Sequence, residues 1–191
     1  PRFLAVGRFV SKKGPLDTLE AFALMRKLTG KADACRLVMV GDGPLLAEAR
    51  ERAHQLGLEQ MVQFPGVLSP DAVAEQMRRA RVFVQHSRTA EDGDEEGCPV
   101  SVMEAQLCGL PVVATRHGGI PDVVVDQQTG RLVAEGDRHG MAEAMALLAD
   151  RPDLAGAWGA AGQRRGRARF TVGHHVDQVS ALLHALVGRS R

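Results

Sequence analysis

The chain has 191 residues with a formal net charge of +1, and 45% of its residues are hydrophobic and 25% charged, which is typical of a globular protein with one sizeable core. The near-neutral balance lacks the basic excess of nucleic-acid-binding domains. With one Trp, six Phe and no Tyr, the chain also lacks the aromatic platforms on which single strands stack, so no nucleic acid partner is expected.

The cysteines and the apolar runs bear on the cellular compartment. Cys35, Cys98 and Cys108 are odd in number and fit no zinc spacing, which favours free thiols in a reducing compartment. The sequence contains neither a signal peptide nor an apolar run of about 18 residues. Its first residue, Pro1, lies inside a strand-like run, so we expect a piece of a longer cytoplasmic protein.

Strand-like and helix-like segments alternate along the chain. Helical periodicity predicts helices over 16–28, 44–57 and 69–80, the last with Ser69 as N-cap and Pro70 at its first position. A further helix is expected to begin near Pro99, and three more between about 137 and 188. Short apolar runs predict strands over 2–7, 35–41, 61–66, 81–85, 110–115 and 130–134.

Strands that are apolar on both faces and alternate with helices predict a doubly wound α/β fold. The expected core is a Rossmann-like parallel sheet of about six strands with helices on both faces. Ligands of such sheets bind outside the carboxyl ends of the strands. The candidate binding segments are therefore 7–8, 41–43, 65–67, 85–98 and 117–119.

Cations follow the first predicted strand. Arg8 lies at its carboxyl end and Lys13 at the mouth of the next helix, where the two could hold a diphosphate. The alternative is a pair of solvated loop cations. After the second strand, "GDGP" (41–44) places Leu46 where a dinucleotide fingerprint has its third glycine, so a tight turn near the ligand is the simpler interpretation.

An acidic loop, "TAEDGDEEG" (89–97), follows the fourth predicted strand. Asp92 and Asp94 resemble a metal-binding pair, but the loop has no apolar strand around it to fix an oxygen cage, so no metal is expected. Cys98 lies at a helix start, which can lower a thiol pKa. No histidine lies near it in sequence, so a small neutral filler is the expected role.

Two glutamates flank the start of the predicted helix near Pro99. That start offers the main-chain N–H groups of Val100 and Ser101 to an anion. Glu104, inside the helix, could accept hydrogen bonds from a vicinal diol, and Glu96, before it, from a second polyol. The spacing matches a sugar–diphosphate–ribose ligand; the alternative is a solvated loop acid and a surface helix acid.

The segment "EEGCPVSVMEAQLCGLPVVAT" (95–115) resembles the E-x7-E segment of the retaining family-4 glycosyltransferases, a group with the GT-B fold. The resemblance covers nearly the whole chain and implies that residues 1–191 are the carboxy-terminal, donor-binding domain. The acidic stretch before the first glutamate is similar to that of enzymes of bacterial exopolysaccharide assembly. Further segments follow in the family's order: "LAVGRFVSKKG", "LVMVGDGP", "VQFPGVLS", "GGIPDVV" and "TGRLV".

The resemblance implies roles for individual positions. Arg8, Lys13 and Glu96 would be the catalytic residues, the two cations stabilising the leaving diphosphate and Glu96 holding sugar hydroxyls. Glu104 would bind the ribose. The remaining donor contacts would come from Gly7, Gly41, Pro99, Val100 and Ser101 near the phosphates, from the main chain of Val67 and Leu68 at the base, and from Gly97 and Cys98 at the sugar.

The resemblance also implies the reaction and the partners. The substrate would be a nucleotide sugar, transferred with retention and without metal or other cofactor to a glycan or lipid-linked acceptor. The acceptor would bind an amino-terminal domain, and the whole protein could associate peripherally with the inner face of the membrane. Asp122 stands where the family often has Glu, a change that is expected to alter little. Cys98 stands where Phe, Thr or Ser is common, so the sugar side of the pocket is less defined.

Other function classes remain open from the sequence. A nucleotide-sugar epimerase of GT-B type would share the fold and the diphosphate grip. A phosphorylase-like cofactor enzyme would need a Schiff-base lysine, for which no candidate is found. A non-catalytic α/β nucleotide-binding module would leave Arg8, Lys13, Glu96 and Glu104 as unrelated surface charges, which their positions at separate strand ends argue against.

Overall fold

The computed structural model describes residues 1–188. Their centre is one six-stranded sheet, and every strand pair in it is parallel, which confirms the predicted doubly wound class. The strands are β1 (Arg2–Val6), β2 (Arg36–Val40), β3 (Val62–Gly66), β4 (Val82–Gln85), β5 (Val112–Thr115) and β6 (Gly130–Val133).

The helices lie between the strands and after the last one. The predicted tail of three helices is confirmed, whereas a single helical turn at Ile120–Val123 was not anticipated. Short 3-10 turns lie at Ser11–Lys13 and Ala32–Ala34. The helices are α1 (Pro15–Leu28), α2 (Leu46–Gln55), α3 (Pro70–Arg79), α4 (Val100–Leu107), α5 (Ile120–Val123), α6 (Arg138–Asp150), α7 (Pro152–Arg169) and α8 (Val172–Gly188).

Two helices begin later in the chain than the sequence predicts. Helix α2 begins at Leu46 rather than at residue 44, with Leu45 as its N-cap, and the Leu45 N–H donates to the carbonyl of Phe9 at 3.0 Å. Helix α4 begins at Val100, with Pro99 as its N-cap, because the ψ of Pro99 is extended at 118°. The start of α3 is as predicted, since the Ser69 hydroxyl accepts a hydrogen bond from the Ala72 N–H at 3.3 Å.

The strand side chains point alternately to two cores. On one face, Phe3 of β1 meets Phe22 of α1 edge to face, with ring centroids 6.0 Å apart, and helices α2 and α6 complete this layer. On the other face, Leu4 and Phe83 pack with Val102 of α4 and with residues of α3 and α5. The sheet is therefore covered on both sides, as its apolar strands predict.

The strand order β3-β2-β1-β4-β5-β6 fixes where a ligand can bind. The chain first adds strands on one side of β1 and then crosses to add β4, β5 and β6 on the other side. In sheets of this order the crevice opens at the reversal, outside the carboxyl ends of the two central strands. The residues after β1 and after β4 are thus brought to one place.

Helix α8 contrasts with the buried layers. It presents an exposed apolar surface formed by Val172, Val176, Val179, Leu182 and Leu183. Within residues 1–188, no helix combines the length and the apolarity that are needed to cross a membrane.

The position of Phe83 gives a stability prediction. This side chain is 0% exposed in the central strand β4, so Phe83→Ala should lower the free energy of unfolding by about 3–5 kcal/mol. The control Val172→Ala removes a side chain that is 81% exposed and should change it by less than about 0.5 kcal/mol. Urea titrations followed by circular dichroism measure both, and similar losses for the two variants would contradict the described core.

Candidate active site

The carboxyl ends of β1, β2 and β3 open into a cleft of about 360 Å³. The cleft brings together residues from several of the predicted binding segments. Val67, 75% exposed, forms part of its rim. The site residues that line it are Gly7, Arg8, Gly41, Val67 and Leu68.

The loops after β1 and β2, which both reach this cleft, contact each other through their main chains. The N–H of Phe9 donates to the carbonyl of Asp42 at 2.8 Å, and the N–H of Leu45 donates to the carbonyl of Phe9 at 3.0 Å. A Cβ on Gly41, whose φ is 135°, would lie 2.0 Å from the carbonyl oxygen of Gly7. Gly41, the first glycine of "GDGP", is therefore required by the contact between the loops.

A second hollow adjoins the cleft and adds the residues of the next strand end. It shares Gly7 and Arg8 and is also lined by Lys13 and Gln85. Arg8 is exposed, and in the described part of the chain its guanidinium has no ion-pair partner. This cation is therefore available to an anionic ligand.

Lys13 and Glu96 contact each other across the sheet reversal. The Lys13 ammonium lies 2.6 Å from Glu96 Oε2, and only 17% and 14% of the two side chains are exposed. Glu96 Oε2 is buried and meets the ammonium without hydrogen-bond alignment. A phosphate that binds Lys13 must therefore share it with this carboxylate or displace the carboxylate.

The acidic loop is held by a second lysine. The Lys12 ammonium donates to Asp94 Oδ1 at 2.8 Å and to the carbonyl of Glu95 at 3.2 Å. Asp92 Oδ1 accepts a hydrogen bond from the Asp94 N–H at 3.1 Å, so its carboxylate stabilises a turn. Among residues 1–188, no three His, Cys, Asp or Glu side chains are grouped so that they could hold a metal ion.

The start of α4 supplies the next part of the site. The Ser101 hydroxyl donates to Gln85 Oε1 at 3.3 Å, and Gln85 in turn donates to the Ser87 hydroxyl at 2.7 Å. The side chain of Ser101 is thus engaged by Gln85. Val100 and Glu104 are exposed on α4 and lie outside both hollows.

Cys98, in the loop between Glu96 and α4, is an uncharged neighbour of the site. Partial burial raises the pKa of its thiol, and the nearby Asp122 and Glu96 carboxylates raise it further. The thiol is therefore protonated at neutral pH and is a poor nucleophile. The cysteines of the chain, Cys35, Cys98 and Cys108, are unpaired.

Two buried histidines, His86 and His117, lie at strand ends within the candidate binding segments 85–98 and 117–119. His117 Nε2 accepts the N–H of Glu96 at 3.0 Å, and its Nδ1 lies 2.6 Å from Glu135 Oε1. His86 Nε2 accepts the N–H of Gly136 at 2.9 Å, and burial lowers the pKa of this imidazole. The sequence did contain an indication, because His117 follows β5 and Glu135 follows β6.

The glycines after His117 fit against the main chain of the loop before α4. Gly118 has a φ of 50°, and a Cβ there would lie 1.9 Å from the carbonyl oxygen of Glu96. The N–H of Gly119 donates to the carbonyl of Gly97. The segment His117-Gly118-Gly119 thus contacts the Glu96–Gly97 main chain through all three residues.

The fold and the site define a Rossmann-like α/β domain with cations and a glutamate grouped where the strand order reverses. Residues 1–165 match the family model described as glycosyl transferases group 1. The chain belongs to this family.

Known proteins similar to the chain agree with this assignment. WcaL of Escherichia coli (strain K12), named as a colanic acid biosynthesis glycosyltransferase, is 35% identical over 191 residues, which are 96% of this chain and 45% of that protein. The chain thus spans about half the length of this relative.

Solved structures share the fold. Alr3699/HepE of Anabaena, solved in complex with UDP, is 23% identical with a TM-score of 0.83, over 96% of this chain and 48% of that one. The C-terminal domain of a glycosyl transferase group 1 family protein (LpcC) from Francisella tularensis is 21% identical with a TM-score of 0.78, over 90% of this chain and 87% of that one. At these identities the likeness concerns the fold alone.

The close approach of Gly118 to the Glu96 carbonyl gives a stability prediction. Gly118→Ala should lower the free energy of unfolding by at least about 1–3 kcal/mol, because the methyl group meets the Glu96 carbonyl and φ is positive. Gly30→Ala is the control, since nothing lies within 4 Å of a Cβ there. Chemical denaturation measures both, and equal stability of the two variants would show that Gly118 is not constrained.

Proposed function

We propose that this chain is the C-terminal, donor-binding domain of a retaining GT-B glycosyltransferase and that its cleft binds a nucleoside-diphosphate sugar. The observation that carries the proposal is the cluster of Arg8, Lys13 and Glu96 at the strand reversal of a group 1 family chain. Such a cluster suits a ligand that is anionic at its centre and rich in hydroxyls at one end.

The two cations would stabilise the leaving group. Cleavage of a glycosyl–phosphate bond builds negative charge on the diphosphate, and fixed positive groups contribute most where that charge develops. Arg8, without an ion-pair partner in the described chain, is available as a bidentate ligand of the phosphates. Lys13 would act as a point charge once the phosphate shares it with Glu96.

The remaining donor contacts are proposed in the cleft and on the neighbouring start of α4. The main chain of Val67 and Leu68, at the rim beside Gly41, would contact the base. Glu104 would accept the ribose hydroxyls, and Glu96 would accept hydroxyls of the transferred sugar. The main chain of Pro99, Val100 and Ser101, with Gly7, would lie near the phosphates, and Gly97 and Cys98 near the sugar.

The proposed chemistry needs no metal ion. The carboxylates nearest the cations are already used, since Glu96 pairs with Lys13 and Asp94 with Lys12. Positive charge for the leaving group would come from Arg8 and Lys13 instead. Retention would follow from attack on the same face of the sugar, as the resemblance to the family-4 enzymes implies.

The acceptor is proposed to bind a domain beyond this chain. The exposed apolar residues of α8, such as Val172 and Leu182, support a contact with another part of the protein. The proposed acceptor is a glycan or a lipid-linked glycan, and the name of the relative WcaL, which refers to colanic acid biosynthesis, supports a polysaccharide. For the whole protein we propose a cytoplasmic location at the inner face of the membrane.

The diphosphate grip predicts the effect of two substitutions. Arg8→Ala should weaken binding of a nucleoside diphosphate about 10- to 100-fold, because a charged hydrogen bond contributes about 1.5–3 kcal/mol. Lys13→Ala should also weaken binding, because it removes a cation and leaves the Glu96 carboxylate unpaired near the phosphates. Isothermal titration with UDP, GDP and ADP measures the change, with the exposed Arg50→Ala and Lys27→Ala as controls.

The same titrations can contradict the assignment of Arg8 and Lys13 to the diphosphate. Binding of the nucleoside without phosphates should stay the same in both variants. If uridine, guanosine and adenosine lose as much affinity as their diphosphates, the two cations do not hold phosphate. If the wild-type chain gives no heat with any of the three diphosphates at millimolar concentration, the proposed function is wrong.

The two glutamates should differ in their effects. Glu104→Gln should weaken nucleoside diphosphate and nucleotide sugar alike, because both ligands contain the ribose. Glu96→Gln frees the Lys13 ammonium, so affinity for the nucleoside diphosphate should stay or rise by up to about fivefold, whereas the nucleotide sugar should lose its sugar contact. The same titrations test this, with Glu48→Gln on α2 as control. Equal losses of nucleoside-diphosphate affinity in Glu96→Gln and Glu104→Gln would refute the assignment of Glu104 to the ribose and Glu96 to the sugar.

A further inference from the structure

Both ends of the acidic loop are tied to one carboxylate outside the cleft. At its beginning, the N–H of Thr89 donates to Glu135 Oε2 at 2.9 Å. Near its end, the N–H of Glu96 donates to His117 Nε2 at 3.0 Å, and His117 Nδ1 lies 2.6 Å from Glu135 Oε1. Glu135 therefore fixes the first residue directly and Glu96 through the imidazole.

These hydrogen bonds determine where the imidazole proton lies. Because Nε2 accepts a main-chain N–H, the neutral ring carries its proton on Nδ1 and donates it to Glu135. Both carboxylate oxygens of Glu135 are then acceptors, and the hydrogen bond from His117 lowers the pKa of this carboxyl. The side chain of His117 is only 2% exposed, so no water competes for Nε2.

These hydrogen bonds link the ends of β5 and β6 to Glu96, the carboxylate that is proposed to contact the donor sugar. His117 follows β5 and Glu135 follows β6, whereas Lys13, the partner of Glu96, ends the 3-10 turn after β1. Gly118 adds a close contact under the Glu96 carbonyl. The main chain of Glu96 is thus held from one side while its carboxylate contacts the lysine on the other.

We propose that His117 and Glu135 are positioning residues, which hold the Glu96 carboxylate where it contacts the donor sugar and so set the preference for nucleotide sugar over nucleoside diphosphate. This inference rests on the proposed donor-binding function. It differs from a purely structural role in one respect. Loss of His117 or Glu135 should weaken the contact with the sugar and leave the contact with the diphosphate intact, because Arg8 lies in the loop after β1.

The test uses His117→Ala and Glu135→Gln in the chain described. Glu135→Gln retains the shape, but Thr89 and His117 donate to different oxygens, so one of them would face an NH2 group instead of an acceptor. This side chain is 37% exposed, so the variant tests the proposal even if His117→Ala does not fold. His139 and Glu143, an exposed pair on α6 at 3.4 Å, supply the matched controls His139→Ala and Glu143→Gln.

The first measurement is amide hydrogen exchange by NMR without ligand. His117→Ala should speed exchange of the Glu96 amide about tenfold, as expected for the loss of one hydrogen bond, and Glu135→Gln should also speed that of Thr89. The controls should leave both amides unchanged. Unaltered exchange at Glu96 in His117→Ala and at both amides in Glu135→Gln would overturn the proposal.

The second measurement compares affinity for UDP, GDP and ADP with that for UDP-glucose, GDP-mannose and ADP-glucose. Both variants should lose about tenfold in nucleotide-sugar affinity with the nucleoside diphosphate unchanged, and His117→Ala should add nothing to Glu96→Gln. Additive losses, or faster exchange without any change in the sugar preference, would overturn the positioning role. A wild-type chain that binds none of the six ligands overturns the proposed function instead, before any variant is made.

Discussion

The ion pair between Lys13 and Glu96 joins the two halves of the sheet at the strand reversal, and the geometry of the candidate site depends on it. Lys13 belongs to the loop after β1 and Glu96 to the loop after β4. With most of both side chains shielded from water, the pair is screened less than a surface pair, and removal of one partner leaves a poorly solvated charge. The pair therefore fixes the distance between the proposed phosphate and sugar contacts.

This contact also balances a loop that repels itself. The acidic loop carries Glu91, Asp92, Asp94, Glu95 and Glu96 within a few residues, beside a site proposed for an anion. Ordering such a segment costs about 1–2 kcal/mol per residue in backbone entropy alone. Lys12 and Lys13 pair with Asp94 and Glu96 and so neutralise part of this charge, whereas the Glu135 carboxylate fixes the main chain of Thr89.

The sequence predicted what depends on local pattern and on the geometry of parallel strands. The apolar runs predicted all six strands of the sheet. Because the carboxyl ends of parallel strands meet at one edge, the sequence also predicted that Arg8, Lys13 and Glu96 lie close together. It could not predict that Lys13 would pair with Glu96, because side-chain contact across two loops depends on their final shape. The role of His117 was missed for the same reason: an imidazole accepts a main-chain N–H only where a distant segment brings one to it.

The glycines of the site show how a motif can be prominent for a reason other than ligand binding. "GDGP" invites comparison with phosphate-binding fingerprints, yet Gly41 is needed because the carbonyl of Gly7 lies where a Cβ would be. Gly118 has the same relation to the carbonyl of Glu96. In both places a main chain from another strand end approaches too closely for a side chain. These glycines therefore set the positions of Arg8 and Glu96 relative to the sheet, and any influence on the ligand passes through those two side chains.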